Sequence, residues 1–172
     1  YHCFATSEHG NIFDFIMKTQ NLKFGEAVKH LANLAGMQPY MFSKQDEERE
    51  KKWKEYSSIF NRYVDFYHQE LLKNDAYSNA REYLKNRSLN KDQVKKFKIG
   101  YINKNPNFFE ELRKEYSTEA LIETGLFYLD EKKKNHIERF RGRLIFPINN
   151  ISGQPIALGG RIIEKSDFLA KY

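Results

Sequence analysis

The amino-acid sequence predicts an α+β fold that is mainly helical over its first two thirds and continues into a small, mostly antiparallel β-sheet. Up to Gly125, apolar residues recur at the three- and four-residue spacings of helices. From about residue 126, alternating stretches are separated by turn residues such as "NNISGQ". The 40% hydrophobic and 15% aromatic residues are typical of a globular protein. No apolar run reaches the roughly 18 residues that a membrane span requires.

Two short helices are predicted before residue 37. The segment "NIFDFIMKTQ" begins with an N-cap candidate, Asn11. In "KFGEAVKHLANLAG", one helical face collects apolar side chains: Phe24, Val28, Leu31, Leu34 and Ala35. Gly36 predicts the end of that helix, and Pro39 begins a connector. A domain boundary is therefore predicted at this connector.

A long helix is predicted over residues 43–73, because Ser43 and Asp46 have the spacing of a capping box. An apolar stripe follows at helical spacing: Trp53, Tyr56, Phe60, Tyr63, Val64, Tyr67 and Leu71. Such a stripe could stack nucleic-acid bases, but we interpret it as core. Four shorter helices are predicted over 77–86, 90–97, 107–116 and 117–124.

Three strands are predicted in the last third, within "LFYL", "RFRGRLIFPI" and "PIALGGRII". Pro147 indicates that its strand lies at an edge or carries a bulge. As one strand, "RFRGRLIFPI" would place Arg139, Arg141 and Arg143 on one face, about 6.6 Å apart. Its other face would carry Phe140, Leu144 and Phe146. Such a row predicts an anion-binding sheet, since guanidinium groups form forked hydrogen bonds with phosphate.

The charge distribution supports an anionic partner. The net charge is +6, and residues 131–165 carry eight basic and three acidic side chains. Gly142 and the pair Gly159-Gly160 leave room beside the arginines for a close approach of backbone or ligand. The single cysteine, Cys3, excludes an intrachain disulfide and suits a reducing, cytoplasmic setting.

Several segments, in order along the chain, resemble the bacterial replicative DNA primase family (DnaG-type). They are "NIFDFIMKTQNLKFGEAVKHLANLAG", "AREYLKNRSLNKDQVKKFKIGYI", "LIETGLF", "RFRGRLIFPI" with the following "GGR", and the final "KY". The resemblance implies that residues 1–37 are the C-terminal part of a zinc-binding domain, a zinc-ribbon remnant. Residues 38–45 would be a linker, and residues 46–172 the N-terminal subdomain of the RNA polymerase domain.

The resemblance also implies a function, that of a nucleotidyltransferase making short RNA primers on single-stranded DNA for replication. Its partners would be template DNA, ribonucleoside triphosphates and the replicative helicase, the last through a C-terminal domain outside this chain. Mg²⁺ or Mn²⁺ would act in a Toprim region beyond residue 172, so no catalytic residue is expected here. The protein is expected to be a cytoplasmic monomer without a membrane segment.

The family's template-guiding basic ridge is matched by six residues: Arg87, Arg139, Arg141, Arg161, Lys171 and Tyr172. We add Arg143 and Lys85 on charge alone. The implied role of the arginines is to hold the template backbone, which carries little base specificity.

The sequence departs from the family at the zinc site and after Arg87. In "YHCFATSEHG", Cys3 matches one zinc ligand, but Thr6 stands where a second cysteine is usual, and a neutral hydroxyl is a poor zinc ligand. His9 is a speculative substitute, and the earlier ligand pair would lie before Tyr1. Ser88 stands where glycine is usual. The sequence leaves zinc retention, initiation preference, helicase contacts and independent folding open.

Two other functions remain compatible with these residues. A stand-alone single-stranded nucleic-acid-binding module would use the same arginines, and a helical protein-interaction module would use the long helix. The sequence contains no D-x-D pair, which is the kind of carboxylate pair that metal-dependent nucleotidyl transfer needs. A Toprim-like glutamate and a D-x-D pair after residue 172 would decide for primase.

Overall fold

The computed structural model describes residues 1–38, 43–132 and 134–164, and the chain divides into two compact units, Tyr1–Glu48 and Arg49–Tyr172. The division falls beyond the predicted linker, whose central residues 39–42, including Pro39, lie outside the described residues. No helix in the described ranges is long and apolar enough to cross a membrane.

The first unit contains a β-bridge between His2 and His9, followed by α1 (Ile12–Gln20) and α2 (Phe24–Leu34). The predicted N-cap is confirmed, since the Asn11 side chain accepts hydrogen bonds from the backbone of residues 13 and 14. Gly36 adopts a φ of +64° beyond α2, as its predicted stop position requires. The predicted apolar face of α2 is only partly buried, because Phe24 and Leu34 are 61% and 70% exposed.

The second unit takes in most of the long helix α3 (Lys44–Lys73). Its predicted capping box is confirmed by hydrogen bonds from Ser43 N to Asp46 Oδ2 (3.0 Å) and from Asp46 N to Ser43 Oγ (3.2 Å). Shorter helices follow: a 3₁₀ turn (Asp75–Tyr77), α4 (Ser78–Asn86), α5 (Lys91–Lys96), α6 (Phe108–Leu112) and α7 (Thr118–Glu123).

The apolar stripe of α3 is core over its C-terminal half, as predicted. Tyr63, Tyr67 and Leu71 are at most 2% exposed, whereas Trp53 is 43% exposed. Tyr63 and Tyr67 pack edge-to-face, with ring centroids 4.9 Å apart. The stripe is therefore not a free stacking surface at this end.

Among the described residues, five strands form two antiparallel sheets: β1 (Gly100–Ile102), β2 (Phe127–Asp130), β3 (Asn135–Glu138), β4 (Arg143–Asn149) and β5 (Pro155–Ile162). One sheet has the order β1-β4-β5, and the other is the β2-β3 hairpin. The antiparallel prediction is confirmed, but β1 and β3 were not predicted, because three and four residues give too short a pattern to recognise.

Strand β4 is buried on both faces where it is flanked by β1 and β5. Leu144 packs with Leu71 in one apolar cluster, and Ile145 packs with Tyr67 in another, which fixes the sheet to α3. Strand β1 pairs only with residues 143–145, so β4 is paired on one side at Pro147. A register shift follows between Ile148 and Asn149. Strand β4 is the middle strand of its sheet, so the bulge alternative of the prediction is the one that the register shift next to Pro147 meets.

Candidate nucleic-acid interface

The arginine segment is a turn between two sheets, so the prediction of one continuous strand was wrong. Strand β3 ends at Glu138 and β4 begins at Arg143. Gly142 has a φ of +71°, which reverses the chain, and its N–H donates to the Asn103 carbonyl at 2.9 Å. Arg139 and Arg141 therefore do not share a strand face with Arg143, and the 6.6 Å row does not exist.

Arg139 is held by backbone groups at the end of α7. Its own N–H donates to the Leu126 carbonyl at 2.8 Å, and its Nε donates to the Gly125 carbonyl at 2.7 Å. Gly125 has a φ of +74°, which ends the helix as predicted. The bond through Nε uses one of the five guanidinium donors and fixes the direction of the group.

Tyr128 on β2 contacts both arginines of the turn. Its hydroxyl accepts a hydrogen bond from Arg141 Nη1 at 2.7 Å, and its ring centroid lies 5.6 Å from Arg139 Cζ. The second distance is within the range of a cation–π contact. The turn thus presents two guanidinium groups gathered on one aromatic side chain.

Three of the predicted arginines line one open groove of about 460 Å³ beside β4 and β5. Its lining residues are Arg139, Phe140, Arg143, Phe146, Leu158, Gly159, Gly160 and Arg161. A Cβ atom on Gly160 would lie 2.5 Å from Phe140 Cδ1 and 3.1 Å from Arg143 Cδ, so glycine is required there for packing. At Gly159 the nearest atom would be 3.8 Å away, an ordinary contact.

Arg161 and Arg87 meet at a second tyrosine, Tyr83 on α4. Arg161 Nε donates to the Tyr83 hydroxyl at 2.7 Å, and the Cζ atoms of Arg161 and Arg87 lie 5.7 Å and 5.5 Å from its ring centroid. Desolvation raises the pKa of the Tyr83 phenol, but the hydrogen bonds and positive charges of Arg161 and Arg87 outweigh it and leave the pKa below its ordinary value.

Ser88, next to Arg87, has a φ of +61°. It stands just past the end of α4, where Leu89 N donates to the Leu84 carbonyl at 3.1 Å. This is the left-handed position that glycine favours after a helix. Serine therefore occupies a backbone position that favours glycine, directly after Arg87.

Of the remaining predicted ridge residues, only Lys85 lies in the described part of the chain, and it does not line this groove. Lys85 on α4 lines a different, larger groove formed with α5 and the end of α3. Lys171 and Tyr172 lie outside the described residues.

Glu138 is a buried residue that sequence reasoning did not single out. It is 2% exposed, and its Oε2 accepts hydrogen bonds from Tyr63 (2.8 Å) and Tyr67 (2.7 Å), while Oε1 accepts one from Phe108 N (3.0 Å). Burial raises the pKa of the Glu138 carboxyl, although these bonds act in the opposite direction. Nothing in the local sequence separates this acid from the exposed ones, because its partners come from α3 and α6.

At the N-terminus, the candidate zinc ligand Cys3 has few metal-binding side chains near it. Hydrogen bonds from the Thr6 side chain and the backbone of Thr6 and Ala5 lower the pKa of the thiol. The rings of His2 and His9 stack 6.0 Å apart. In the described part of the chain, no three His, Cys, Asp or Glu side chains are placed to hold a metal ion. These residues therefore do not form a complete four-ligand zinc site.

Comparison with known proteins gives two family matches that together span most of the chain. Residues 66–172 match the family model described as the N-terminal domain of the DNA primase catalytic core, and residues 1–48 match the CHC2 zinc finger. A DNA primase of Neisseria meningitidis is 35% identical over 96% of this chain, which spans 28% of that relative's length.

Solved structures show the same relationship. The zinc-binding and RNA polymerase domains of the Aquifex aeolicus primase match 99% of this chain and 40% of that one, with 28% identity and a TM-score of 0.59. The RNA polymerase domain of Mycobacterium tuberculosis primase, solved in complex with double-stranded DNA, matches 69% of this chain and 38% of that one. Its identity is 28% and its TM-score is 0.63. The chain belongs to the bacterial DNA primase family.

Proposed function

We propose that this chain is the template-guiding part of a DNA primase, a nucleotidyltransferase that copies single-stranded DNA into short RNA primers. The observation that carries the proposal is the gathering of Arg139, Arg143 and Arg161 around one open groove. Arg141 contacts Tyr128, as Arg139 does, and Arg87 contacts Tyr83, as Arg161 does. We call these five arginines the arginine set.

The arginine set suits a phosphate backbone better than a single small anion. Its members come from the end of α4, the β3–β4 turn, β4 and β5, so separate parts of the chain contribute positive charge to the groove and to the tyrosines beside it. Arginine forms forked bonds to phosphate oxygens, and contacts to phosphate position a strand without reading its sequence. The DNA complex of the Mycobacterium tuberculosis relative supports nucleic acid as the ligand class.

The division of residues 1–37, 38–45 and 46–172 into a zinc-binding part, a linker and a polymerase subdomain is part of this proposal. The CHC2 zinc finger family implies zinc in the complete protein. Cys3 is the residue of this chain that would contribute a thiolate, with His9 a speculative second ligand. Mg²⁺ or Mn²⁺ would be held by carboxylates outside this chain. The contact with the helicase would be made by a C-terminal domain that is also outside it.

Salt-dependent DNA binding tests the proposal. The 172-residue chain should bind a fluorescent oligothymidylate, with log affinity falling linearly against log salt concentration. Each phosphate contact on a single strand contributes about 0.7 to that slope. Replacing Arg139 and Arg141 by alanine should therefore flatten the slope by about 1.4 if both contact phosphate.

A matched control removes the same charge elsewhere. Lys51 on α3 and Lys95 on α5 are exposed and do not line the groove. Lys52 is unsuitable, because it forms an ion pair with Glu123 at 3.2 Å. If the control pair flattens the slope as much as the arginine pair, net charge alone governs binding and the proposed guiding role is wrong. Since Arg139 bonds the Gly125 carbonyl, thermal melting should accompany the binding curves.

Catalysis gives a second test. The chain, mixed with template, ribonucleotides and Mg²⁺ or Mn²⁺, should form no dinucleotide, because its sequence has no D-x-D pair to hold the metal ions. Synthesis above a blank that stops on chelation would show that the catalytic centre has been assigned to the wrong part of the protein.

A further inference from the structure

Two tyrosines contact the arginine set in the same way. Tyr83 contacts Arg87 and Arg161, and Tyr128 contacts Arg139 and Arg141. In each pair, the hydroxyl accepts a hydrogen bond of 2.7 Å from one arginine, and the ring lies under a guanidinium group. Both tyrosines are partly buried, and Tyr83 also packs against the apolar cluster that contains Leu84 and Leu144.

We propose that Tyr83 and Tyr128 are positioning residues, which hold four arginines in place before DNA binds. This inference rests on the function proposed above and identifies what orders its binding surface. A free arginine side chain loses considerable rotamer freedom when it is fixed against a phosphate. A tyrosine that already fixes the guanidinium removes that loss from the binding step.

Each tyrosine joins two arginines, and in the case of Tyr83 these are distant in sequence. Tyr83 on α4 connects Arg87, just after its own helix, with Arg161 on β5. Tyr128 on β2 connects two residues of the β3–β4 turn, across the β2–β3 hairpin. A change at either tyrosine should therefore affect two arginines at once, without removing any positive charge.

Replacing either tyrosine leaves the net charge of the chain unchanged. This distinguishes a positioning role from a direct charge contact with phosphate. Tyr83→Leu and Tyr128→Leu should each weaken oligothymidylate binding about three- to tenfold, the size expected for ordering one or two long side chains. The slope against salt should stay near the wild-type value, since the same arginines still neutralise phosphates. Tyr83→Phe and Tyr128→Phe keep the ring and should lose less affinity.

A double-mutant cycle separates positioning from stacking of bases on the tyrosine itself. If Tyr128 acts through the arginines, Tyr128→Leu should have almost no effect in the chain that already carries Arg139→Ala and Arg141→Ala. A tyrosine that stacks directly on a base would weaken binding by the same factor in both backgrounds, and this result would overturn the inference.

Tyr116 provides the matched control, because its hydroxyl bonds Ser58 at 2.7 Å and it does not line the groove. Tyr116→Phe should leave DNA affinity unchanged.

If the arginine variants weaken binding while Tyr83→Leu and Tyr128→Leu bind like wild type, the inference fails and the proposed function stands. If the wild-type chain shows no salt-dependent DNA binding, the proposed function itself fails. Circular dichroism melting identifies any variant that binds poorly because it is unfolded.

Discussion

Tyr67 donates a hydrogen bond of 2.7 Å to the carboxylate of Glu138 across a sequence separation of 71 residues. Tyr63, one helical turn earlier on α3, donates to the same oxygen at 2.8 Å. Burial and the negative charge of Glu138 raise the pKa of both phenols, so both remain donors at neutral pH. Glu138 directly precedes Arg139, and this cluster therefore ties the start of the arginine turn to the core.

The raised pKa of Glu138 predicts how stability depends on pH. The folded chain binds this proton more tightly than the unfolded chain does. The contribution of Glu138 to stability is therefore fully present below the ordinary carboxyl pKa of 4.5 and is lost as pH rises through the folded-state pKa. Urea unfolding from about pH 4 to 7 should show that wild type loses stability relative to Glu138→Gln as pH increases.

Glu111 is a control of opposite sign. A hydrogen bond from Lys114 lowers the pKa of this exposed carboxyl, so wild type should gain a little stability relative to Glu111→Gln as pH rises. Equal pH profiles for Glu138→Gln and Glu111→Gln would contradict the assignment of a buried acid with a raised pKa at Glu138.

Ser88 predicts a stabilising substitution near the arginine set. A non-glycine residue at a φ of +61° costs on the order of 1 kcal/mol of stability. Glycine removes this cost, but it also raises the conformational entropy of the unfolded chain, which offsets part of the gain. We expect Ser88→Gly to raise the free energy of unfolding by up to about 1 kcal/mol, measured by urea denaturation. Ser88→Ala keeps the Cβ atom and should give no gain. An equal gain in both variants would trace the effect to the hydroxyl group.

The sequence was sufficient where the signal is local. The cap at Asn11, the Ser43–Asp46 capping box and the helix stop at Gly125 follow from short-range hydrogen bonding and backbone preference. The apolar stripe of α3 follows from helical periodicity alone.

The sequence was insufficient where the outcome depends on distant partners. The alternation in "RFRGRLIFPI" continues across Gly142, although the chain there leaves one sheet and enters another. Strand β1 exists because Gly100 pairs with Ile145, a partner far along the chain. The arginines were recognised as a set, but the tyrosines that gather them lie on other elements and have no local signal.

Zinc content is predicted from the donor chemistry of the first unit. Cys3 is the single cysteine of the chain, and a structural zinc site needs four nitrogen or sulfur donors. The 172-residue chain should retain less than one equivalent of zinc after dialysis, measured by elemental analysis. Thr6→Cys should increase retention by adding a second thiolate. Stoichiometric zinc in the unaltered chain that disappears in Cys3→Ser would contradict this prediction.

Gly160 and Gly159 give a matched test of the groove floor. A methyl group at Gly160 would overlap the Phe140 ring at 2.5 Å and press on Arg143, whereas at Gly159 it would meet only ordinary contacts. Gly160→Ala should lower the free energy of unfolding by about 1–3 kcal/mol, the usual cost of overpacking, and should weaken DNA binding by moving Phe140 and Arg143. Gly159→Ala should stay within about 0.5 kcal/mol of wild type. Urea unfolding and oligothymidylate binding of both variants check the pair, and equal behaviour would mean that the close approach of Phe140 to β5 does not shape the groove.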